Sequence, residues 1–327
     1  MAKLTPIAEQ IAALNELRAD PASESAAAAL RKALGDRSNR VVARAAEIAG
    51  QSETEELIPP LLAAYARLLD NPQKADPGCV GKIAIAEALI RLEFHDLDFY
   101  RAGVRYTQYE PVWGGEDDTA PPVRSACAQG LVLCASILEA LNCFAELLAD
   151  PHHVARSGAA RAIANLGHPE GVPLLKLKLL VGDKNAEVIG ECCSAVLRLA
   201  PEDGLSLVTA HLDSDNLDIR VQAAIALGES RRPEAFAPLW ACWKRQTDRS
   251  VRKIVLTAIG LLRSDEADAF LVSLIRGPNE QAAGDAIAAL APFVQSAGLQ
   301  SSIEEAVRES GSPRLREALG EAVGEGG

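Results

Sequence analysis

The chain has 327 residues, a net charge of −12 and a hydrophobic fraction of 48%, which is enough to bury a large core. Its acidic balance repels phosphate backbones and so disfavours nucleic-acid binding, and no apolar run approaches the roughly 18 residues of a membrane span. Aromatic residues are only 4% while Ala and Leu dominate, a composition that favours closely packed helices over strands.

The seven cysteines and the first twenty residues indicate the compartment. The cysteines are odd in number, and several fall where the pattern below requires small buried residues, so we expect core thiols in a reducing environment. The first residues, MAKLTPIAEQIAALNELRAD, include acids and have no apolar stretch typical of a signal peptide. We therefore expect a cytoplasmic protein that does not enter a membrane.

Residues 1–35 are Ala-rich and are predicted to form an N-terminal helical cap, and a recurring ten-residue pattern follows. Its clearest copy is Ile219–Gly228, IRVQAAIALG: one apolar residue, one basic, two variable, two small, one variable, then small and apolar residues. Copies begin at Val41, Gly81, Val123, Ala155, Val188, Ile219, Val251, Ala282 and Leu315. From Arg124 onward the second positions are 31 to 33 residues apart, a period typical of repeat proteins.

Two further signals share this period. An aspartate stands five residues before the pattern in five copies, where it can accept hydrogen bonds from the free amides at a helix start: Asp36, Asp76, Asp118, Asp150 and Asp183. A Pro-Glu or Asp-Glu dipeptide recurs every 32 residues at Pro169, Pro201, Pro233 and Asp265, and each opens a short apolar segment. Each unit is therefore predicted to be two helices of about 11 to 14 residues.

The pattern, the preceding aspartate and the period resemble HEAT repeats, most closely the short type named after phycobilisome lyases. The resemblance covers about nine tenths of the chain. It implies an all-α fold without sheet, an α-α superhelix of about nine helix pairs, as a single solenoid over residues 1–327 with a C-terminal cap and tail at 301–327. It also implies that the second helices form the concave, partner-binding side. The basic second positions would then form a structural ladder at the turns: Lys82, Arg124, Arg156, Arg220 and Arg252.

The segment 94–118 departs from the repeat and is predicted to be an aromatic-rich insertion between helices. Residues 94–113, FHDLDFYRAGVRYTQYEPVW, hold six of the thirteen aromatic residues of the chain, and Gly114-Gly115 and three acids follow. Aromatic side chains on a loop beside a groove are typical partner anchors. Alternatively, the rings fill a gap between irregular repeats. Both interpretations hold together if some rings are buried while Tyr109 and Trp113 stay exposed.

The seventh pattern position is predicted to face a partner, because positions five, six, eight and nine are small or apolar and must face neighbouring helices. Its occupants are varied and mostly polar: Glu47, Glu87, Gln129, Arg161, Ser194, Ile225, Thr257, Ala288 and Glu321. We predict that the first four of these, together with Tyr106, Tyr109 and Trp113, bind another protein. Acids with aromatics suit a basic or amphipathic segment of that partner.

Motifs for catalysis were sought and none was found, so no catalytic residue, metal or cofactor is predicted. Deoxyhypusine hydroxylase, which shares this kind of fold, uses repeated His-Glu pairs at a di-iron site, and no His-Glu dipeptide occurs here. Adjacent His152 and His153 diverge on a helix, and His95 beside two aspartates is more typical of solvated surface than of a metal site. Cys192 and Cys193 fall in the core positions of their copy.

The favoured function is a non-catalytic scaffold or adaptor that binds a protein on its concave face. The alternative is a phycobilin-lyase-like enzyme or chaperone that acts on a prosthetic group or small molecule, which a cleft with several convergent ionisable groups would support. A third possibility, nucleic-acid handling as in DNA glycosylases on a HEAT-like scaffold, needs a continuous basic stripe. The basic run between Arg231 and Lys253 is more simply explained by solvated helix ends and ion pairs between repeats.

Overall fold

A computed structural model of the chain describes residues 6–293 and 297–324. The chain divides into two compact units, Met1–His168 and Pro169–Gly327, and each is described by itself. Residues 325–327, in the predicted C-terminal tail, lie outside the described residues.

The first unit contains, in its described residues, ten α-helices and one two-stranded antiparallel hairpin. In chain order these are α1 (Pro6–Glu16), α2 (Glu24–Leu34), α3 (Asn39–Ala49), α4 (Ile58–Leu69), α5 (Pro72–Ala75), α6 (Val80–Arg91), α7 (Leu97–Gly103), β1 (Tyr109–Val112), β2 (Gly115–Asp118), α8 (Pro121–Cys134), α9 (Ile137–Leu148) and α10 (His153–Leu166).

The second unit is made of helices throughout its described residues. They are α11 (Val172–Val181), α12 (Ala186–Leu199), α13 (Pro201–Ala210), α14 (Leu217–Glu229), α15 (Phe236–Arg245), α16 (Arg249–Leu262), α17 (Asp265–Ile275), α18 (Glu280–Leu290), α19 (Ala297–Ser310) and α20 (Pro313–Gly324). Helices α1 and α2 lie within residues 1–35 and helix α20 within residues 301–327, and the capping roles of these segments stay predictions.

The helices pair as the period predicts. In the first unit the second helices α3, α6, α8 and α10 pack side by side in succession, each against a first helix from the set α2, α4, α7 and α9. In the second unit α12, α14, α16, α18 and α20 form the same kind of layer, paired with α11, α13, α15, α17 and α19. The described residues thus contain nine helix pairs, and the predicted all-α solenoid class is confirmed. The single solenoid over 1–327 stays a prediction.

The expectation of no sheet is wrong at one place. Within the predicted insertion, β1 and β2 pair antiparallel, with Val112 opposite Gly115 and Tyr109 opposite Asp118. The two-residue turn between them is possible because Gly114 has a φ of +93°, a conformation that only glycine adopts without strain. The same insertion also contains a short helix, α7, where the sequence predicted a loop.

Small residues of the repeat pattern let neighbouring second helices approach closely. Gly228 ends the pattern on α14, and a Cβ atom built there would stand 2.9 Å from the Cα atom of Ala258 on α16. Ala223 and Ala224, at the two small positions, are fully buried. Larger side chains at these positions would separate the helices and open the core, because protein interiors are packed nearly without voids.

The recurring aspartates bind the turn before each second helix. Four of them accept a hydrogen bond from the backbone N–H two residues ahead, over N···O distances of 2.8 to 3.0 Å: Asp36, Asp118, Asp150 and Asp183. Asp76 instead accepts from the amides of Gly81 and Lys82, inside α6. The bond to helix amides that the sequence predicted is therefore found for Asp76, and the other four fix the preceding turn.

No helix in the described part of the chain is long and apolar enough to cross a membrane.

Replacing Gly228 by Ala tests the close approach of α14 and α16. We expect Gly228→Ala to lower the free energy of unfolding by about 2 kcal/mol, because the new methyl group forces two backbones apart. The matched variant is Gly284→Ala on α18, where a Cβ atom meets nothing within 4 Å. It should raise stability by about 0.5–1 kcal/mol through helix propensity. Urea unfolding of both variants measures the difference, and equal effects would contradict the packing argument.

Candidate partner-binding site

The hairpin formed by residues 109–118 carries the most exposed aromatic side chain among the described residues. Trp113, in its turn, has a relative exposure of 104%, and Tyr109 and Val112 are about half exposed at 53% and 50%. Glu116 and Asp117 on β2 are also exposed. The tip of the hairpin thus presents an apolar group flanked by acidic side chains.

The base of the hairpin is held by Glu110, whose side chain points back towards the start of α6. One carboxylate oxygen accepts hydrogen bonds, each 2.7 Å long, from the backbone N–H of Gly78, the amide of Gln108 and the hydroxyl of Thr119. Burial opposes ionisation of this carboxyl, but the hydrogen bonds outweigh it and hold the pKa of Glu110 below its ordinary value. Glu110 therefore stays a charged anchor at neutral pH.

Gln108 connects the hairpin to the turns on both sides of it. Its side chain is buried, and its Nε2 atom donates to the backbone oxygen of Asp76 over 2.9 Å. Its backbone N–H donates to Asp118 over 3.0 Å, and its carbonyl accepts from the N–H of Thr119 over 2.9 Å. Every polar group of this residue that is removed from water thus has a hydrogen-bond partner in the fold.

Arg124 is a buried cation between two carboxylates. Its Nη1 atom lies 2.6 Å from Asp118 at the end of β2 and donates to the carbonyl of Tyr106 over 2.9 Å, while Nη2 donates to Asp150 over 3.0 Å. Burial raises the pKa of Asp118, but hydrogen bonds from Gln108 and Arg124 outweigh burial and hold that pKa below its ordinary value. One guanidinium thus joins the hairpin to the turns before α8 and α10.

Lys82 has the corresponding position on α6. It is completely buried, its Nζ atom lies 2.9 Å from Asp76, and the ring of Tyr106 is 5.6 Å from that atom. Since an unpaired buried charge is strongly unfavourable, this ion pair fixes the loop on which the hairpin base rests.

The other predicted ladder residues make different contacts. Arg156 donates to the carbonyls of Asp150 and Pro151, both over 2.8 Å. Arg220 donates to the carbonyl of Ser214 over 2.6 Å and to Gln246 over 3.1 Å. Arg252 instead stacks on the indole ring of Trp243.

The aromatic rings of the insertion divide into two groups. Phe94, Phe99 and Tyr100 cluster with one another, and Phe99 also contacts Tyr65 of α4 at a centroid distance of 4.9 Å. Tyr106 is half-buried and its hydroxyl donates to Gln108 over 2.7 Å, so its polar group is already engaged. Tyr109 and Trp113 stay exposed.

The predicted residues at the seventh pattern position lie on successive second helices of the first unit. Glu47 is partly exposed and pairs with Arg44, and Glu87 is half exposed at 4.0 Å from Arg91. Arg161 on α10 is exposed. Gln129 on α8 donates to the carbonyl of Gly158 and accepts from Asn165.

These residues and the hairpin lie at different heights along the helix layer. The hairpin base meets Gly78, just before α6 begins, whereas Glu87 lies seven residues beyond Val80, roughly 10 Å further along at 1.5 Å per residue. A partner that contacts both must therefore extend along α6.

The anchoring residues Gln108 and Glu110 were missed by sequence reasoning. They stand within the aromatic run and have no repeat equivalent. The Gly114-Gly115 pair after a run containing Tyr and Val is a hairpin signal, and it could have indicated alternating inward and outward side chains. Asp118 was identified, but only as a helix-start residue.

The described residues include no group of three His, Cys, Asp or Glu side chains that could hold a metal ion. All seven cysteines are free, and six of them are buried. Burial raises the pKa of Cys192 to about 12, and burial likewise raises the pKa of Cys193. Both thiols are therefore protonated and unreactive at neutral pH.

Stacked helix pairs joined by anchored turns define a helical-repeat protein. Residues 176–260, about a quarter of the chain, match the family model of HEAT repeats, so this segment contains HEAT repeats. No curated protein matches the chain.

Three solved structures are similar to it at low identity. Human deoxyhypusine hydroxylase in complex with glycerol is 21% identical, with 79% of this chain and 91% of that chain covered and a TM-score of 0.31. The complex of CpcE and CpcF of phycocyanin lyase from Nostoc sp. PCC7120 is 16% identical, with 81% and 94% covered and a TM-score of 0.41. Kap121p bound to Pho4p is 13% identical, with 98% and 42% covered and a TM-score of 0.45. At these identities and TM-scores none of them assigns a function to the chain.

Replacing Asp118 by Asn tests the anchor. We expect Asp118→Asn to lower the free energy of unfolding at about pH 7 by about 3 kcal/mol, because it removes one of the two carboxylates that pair a buried guanidinium. The pKa of Asp118 is lower in the native protein than its value of 3.8 in the unfolded chain, so the ionised carboxylate stabilises the fold above that pH. This stabilisation is lost as the pH falls through the native pKa. The difference from wild type should therefore narrow below about pH 4.

Asp117→Asn is the matched control, since Asp117 is exposed on the same strand. It should change stability by less than about 0.5 kcal/mol. A similar loss in both variants, measured by urea unfolding across pH, would contradict the anchoring role of Asp118.

Alkylation of the native protein tests the burial of the thiols. At about pH 8, iodoacetamide should label the partly exposed Cys134 before any other cysteine, because reaction requires both access and a thiolate. Cys192 and Cys193 should be labelled only in denaturant. Peptide mass spectrometry measures the order, and rapid native labelling of Cys192 would contradict the structural interpretation of this pair.

Proposed function

We propose that this protein is a non-catalytic scaffold that binds another protein through the hairpin tip and the neighbouring second-helix layer of the first unit. The observation that supports the proposal most is the complete exposure of Trp113 on a hairpin whose base is fixed by buried polar contacts. An exposed indole loses its contact with water only when a partner covers it, and Trp is among the residues that dominate binding energy at interfaces.

Rigidity of the hairpin base supports the same proposal. A backbone that is already held in place loses little conformational entropy on binding, so more of the contact energy becomes affinity. The three hydrogen bonds to Glu110 and the ion pair between Arg124 and Asp118 hold the strands. The backbone that carries Trp113 and Tyr109 is in this sense preorganised.

The acidic side chains of the hairpin and of the second-helix layer indicate the chemistry of the partner. Glu116 and Asp117 flank the indole, and Glu47 and Glu87 lie on the adjacent helix layer. We infer a partner segment that places an apolar side chain against Trp113 and carries basic residues beside it. Such charge complementarity steers association and sets specificity.

Substitution at the tip tests the proposal. Trp113→Ala should reduce capture of native partners by the folded protein roughly tenfold or more, since a central Trp is typically worth over 1 kcal/mol at an interface. The control is Leu138→Ala, which removes another exposed apolar side chain, 71% exposed, from α9 of the same unit. Pull-down with quantitative mass spectrometry measures both, and circular dichroism checks the fold.

Charge reversal tests the helix layer separately. The double variant Glu47→Lys and Glu87→Lys should weaken capture of the same partner, and most strongly at low salt, where charge interactions are least screened. The charge-matched control is Glu16→Lys with Glu24→Lys, at two exposed acids near the N-terminus. Undiminished capture by both Trp113→Ala and the Glu47 and Glu87 variant would exclude this surface as the binding site.

A further inference from the structure

A small polar cleft in the second unit contains two arginines that form no ion pair with any residue that the structure describes. It has a volume of about 190 Å³ and lies between the end of α15 and the starts of α16 and α18. Its lining includes Trp243, Arg249, Arg252, Gln281 and Asp285.

Arg252 has no aspartate partner in the turn before α16, because its repeat copy departs from the pattern. In the copies that contain Lys82 and Arg124, the residue five positions before the pattern is an aspartate that pairs with the cation. In the copy that begins at Val251 this position is Gln246, whose side-chain oxygen accepts instead from Arg220 over 3.1 Å. The guanidinium of Arg252 stacks on Trp243, 4.5 Å from the ring centroid.

The stacking holds Arg252 at the cleft in a defined orientation. Trp243 is itself held edge-on by Phe270, with ring centroids 5.4 Å apart. A guanidinium that stacks on an aromatic face keeps its in-plane N–H donors free for an anion. The donors of Arg252 are therefore available along the edge of the stacked plane.

The guanidinium of Arg249 contacts a neutral side chain, the amide of Gln281. The side-chain oxygen of Gln281, in the orientation that satisfies both groups, accepts from that guanidinium. Within the part of the chain that the structure describes, neither Arg249 nor Arg252 is ion-paired. With Asp285 as the one carboxylate in the lining, the formal charge of the cleft is two positive and one negative, a net +1.

We propose that this cleft binds a carboxylate group. Two guanidinium groups offer the planar paired donors that a carboxylate accepts, and a single negative charge neutralises the net +1. A phosphate dianion fits less well, because Asp285 would repel its second charge. The volume is below the roughly 300 Å³ at which pockets for drug-sized ligands begin, so the occupant is an acidic side chain of a peptide or a small free carboxylate.

Isothermal titration tests the proposal with three probes: butyrate, a short peptide with one Glu side chain and blocked ends, and inorganic phosphate. Butyrate or the peptide should bind the wild-type protein, and Arg249→Gln and Arg252→Gln should each weaken that binding roughly tenfold or more, as loss of a charge-assisted hydrogen bond does. Lys253→Gln is the matched control. It removes the same positive charge, but Lys253 is exposed and lies outside the cleft lining.

The outcomes separate the possible ligands. Binding of both carboxylates supports recognition of a carboxylate group. Binding of the peptide alone or of butyrate alone also supports it, and shows whether the ligand is a side chain or a free carboxylate. The proposal is overturned if neither carboxylate binds, if phosphate binds more tightly than both, or if Lys253→Gln weakens binding as much as Arg249→Gln does. Arg249 is exposed at the start of α16, so Arg249→Gln should leave the fold intact even if Arg252→Gln does not.

Discussion

A buried cation at the second position of the second helix is the interaction on which the rest of the first unit depends. Arg124 and Lys82 are removed from water, which is tolerable only if each is paired and hydrogen-bonded. Asp118 and Asp76 supply the pairing from the turn that precedes the helix. In these two copies the requirement links the sequence pattern to the geometry of the turns, because the aspartate five residues before the pattern pairs with the cation at its second position.

The position of the hairpin depends on the ion pair of Arg124. Because Asp118 ends β2, the ion pair with Arg124 fixes one strand, and Glu110 fixes the other through hydrogen bonds at its base. The tip of the hairpin then projects with Trp113 in solvent. In the second unit, the loss of the aspartate at Gln246 leaves Arg252 stacked on Trp243 beside Arg249. The same position in the repeat therefore anchors a surface element in one unit and lines a charged cleft in the other.

The helix pairs could be predicted from the sequence, since the small residues of the pattern and the Pro-Glu dipeptides are local signals with one period. For the hairpin the sequence contains only the local Gly114-Gly115 turn signal, because the strands are four residues long and their base is held by contacts with Gly78 and Asp76, 32 residues away in sequence. The exposure of Trp113 was considered from the sequence as one of two alternatives. The orientation of Arg252 was not predictable, because its stacking on Trp243 depends on how α15 and α16 pack.

Photo-cross-linking from the hairpin tip tests most directly whether the hairpin is a recognition element. A benzophenone side chain in place of Trp113, in the full-length protein expressed in its source cells, samples the contacts of the tip alone, and the same group in place of Leu138 samples an exposed apolar position on α9. The account predicts one or a few discrete cross-linked proteins from position 113, carrying basic residues at the cross-linked segment, and none of them from position 138. Absence of adducts from position 113, or the same adducts from both positions, would contradict it.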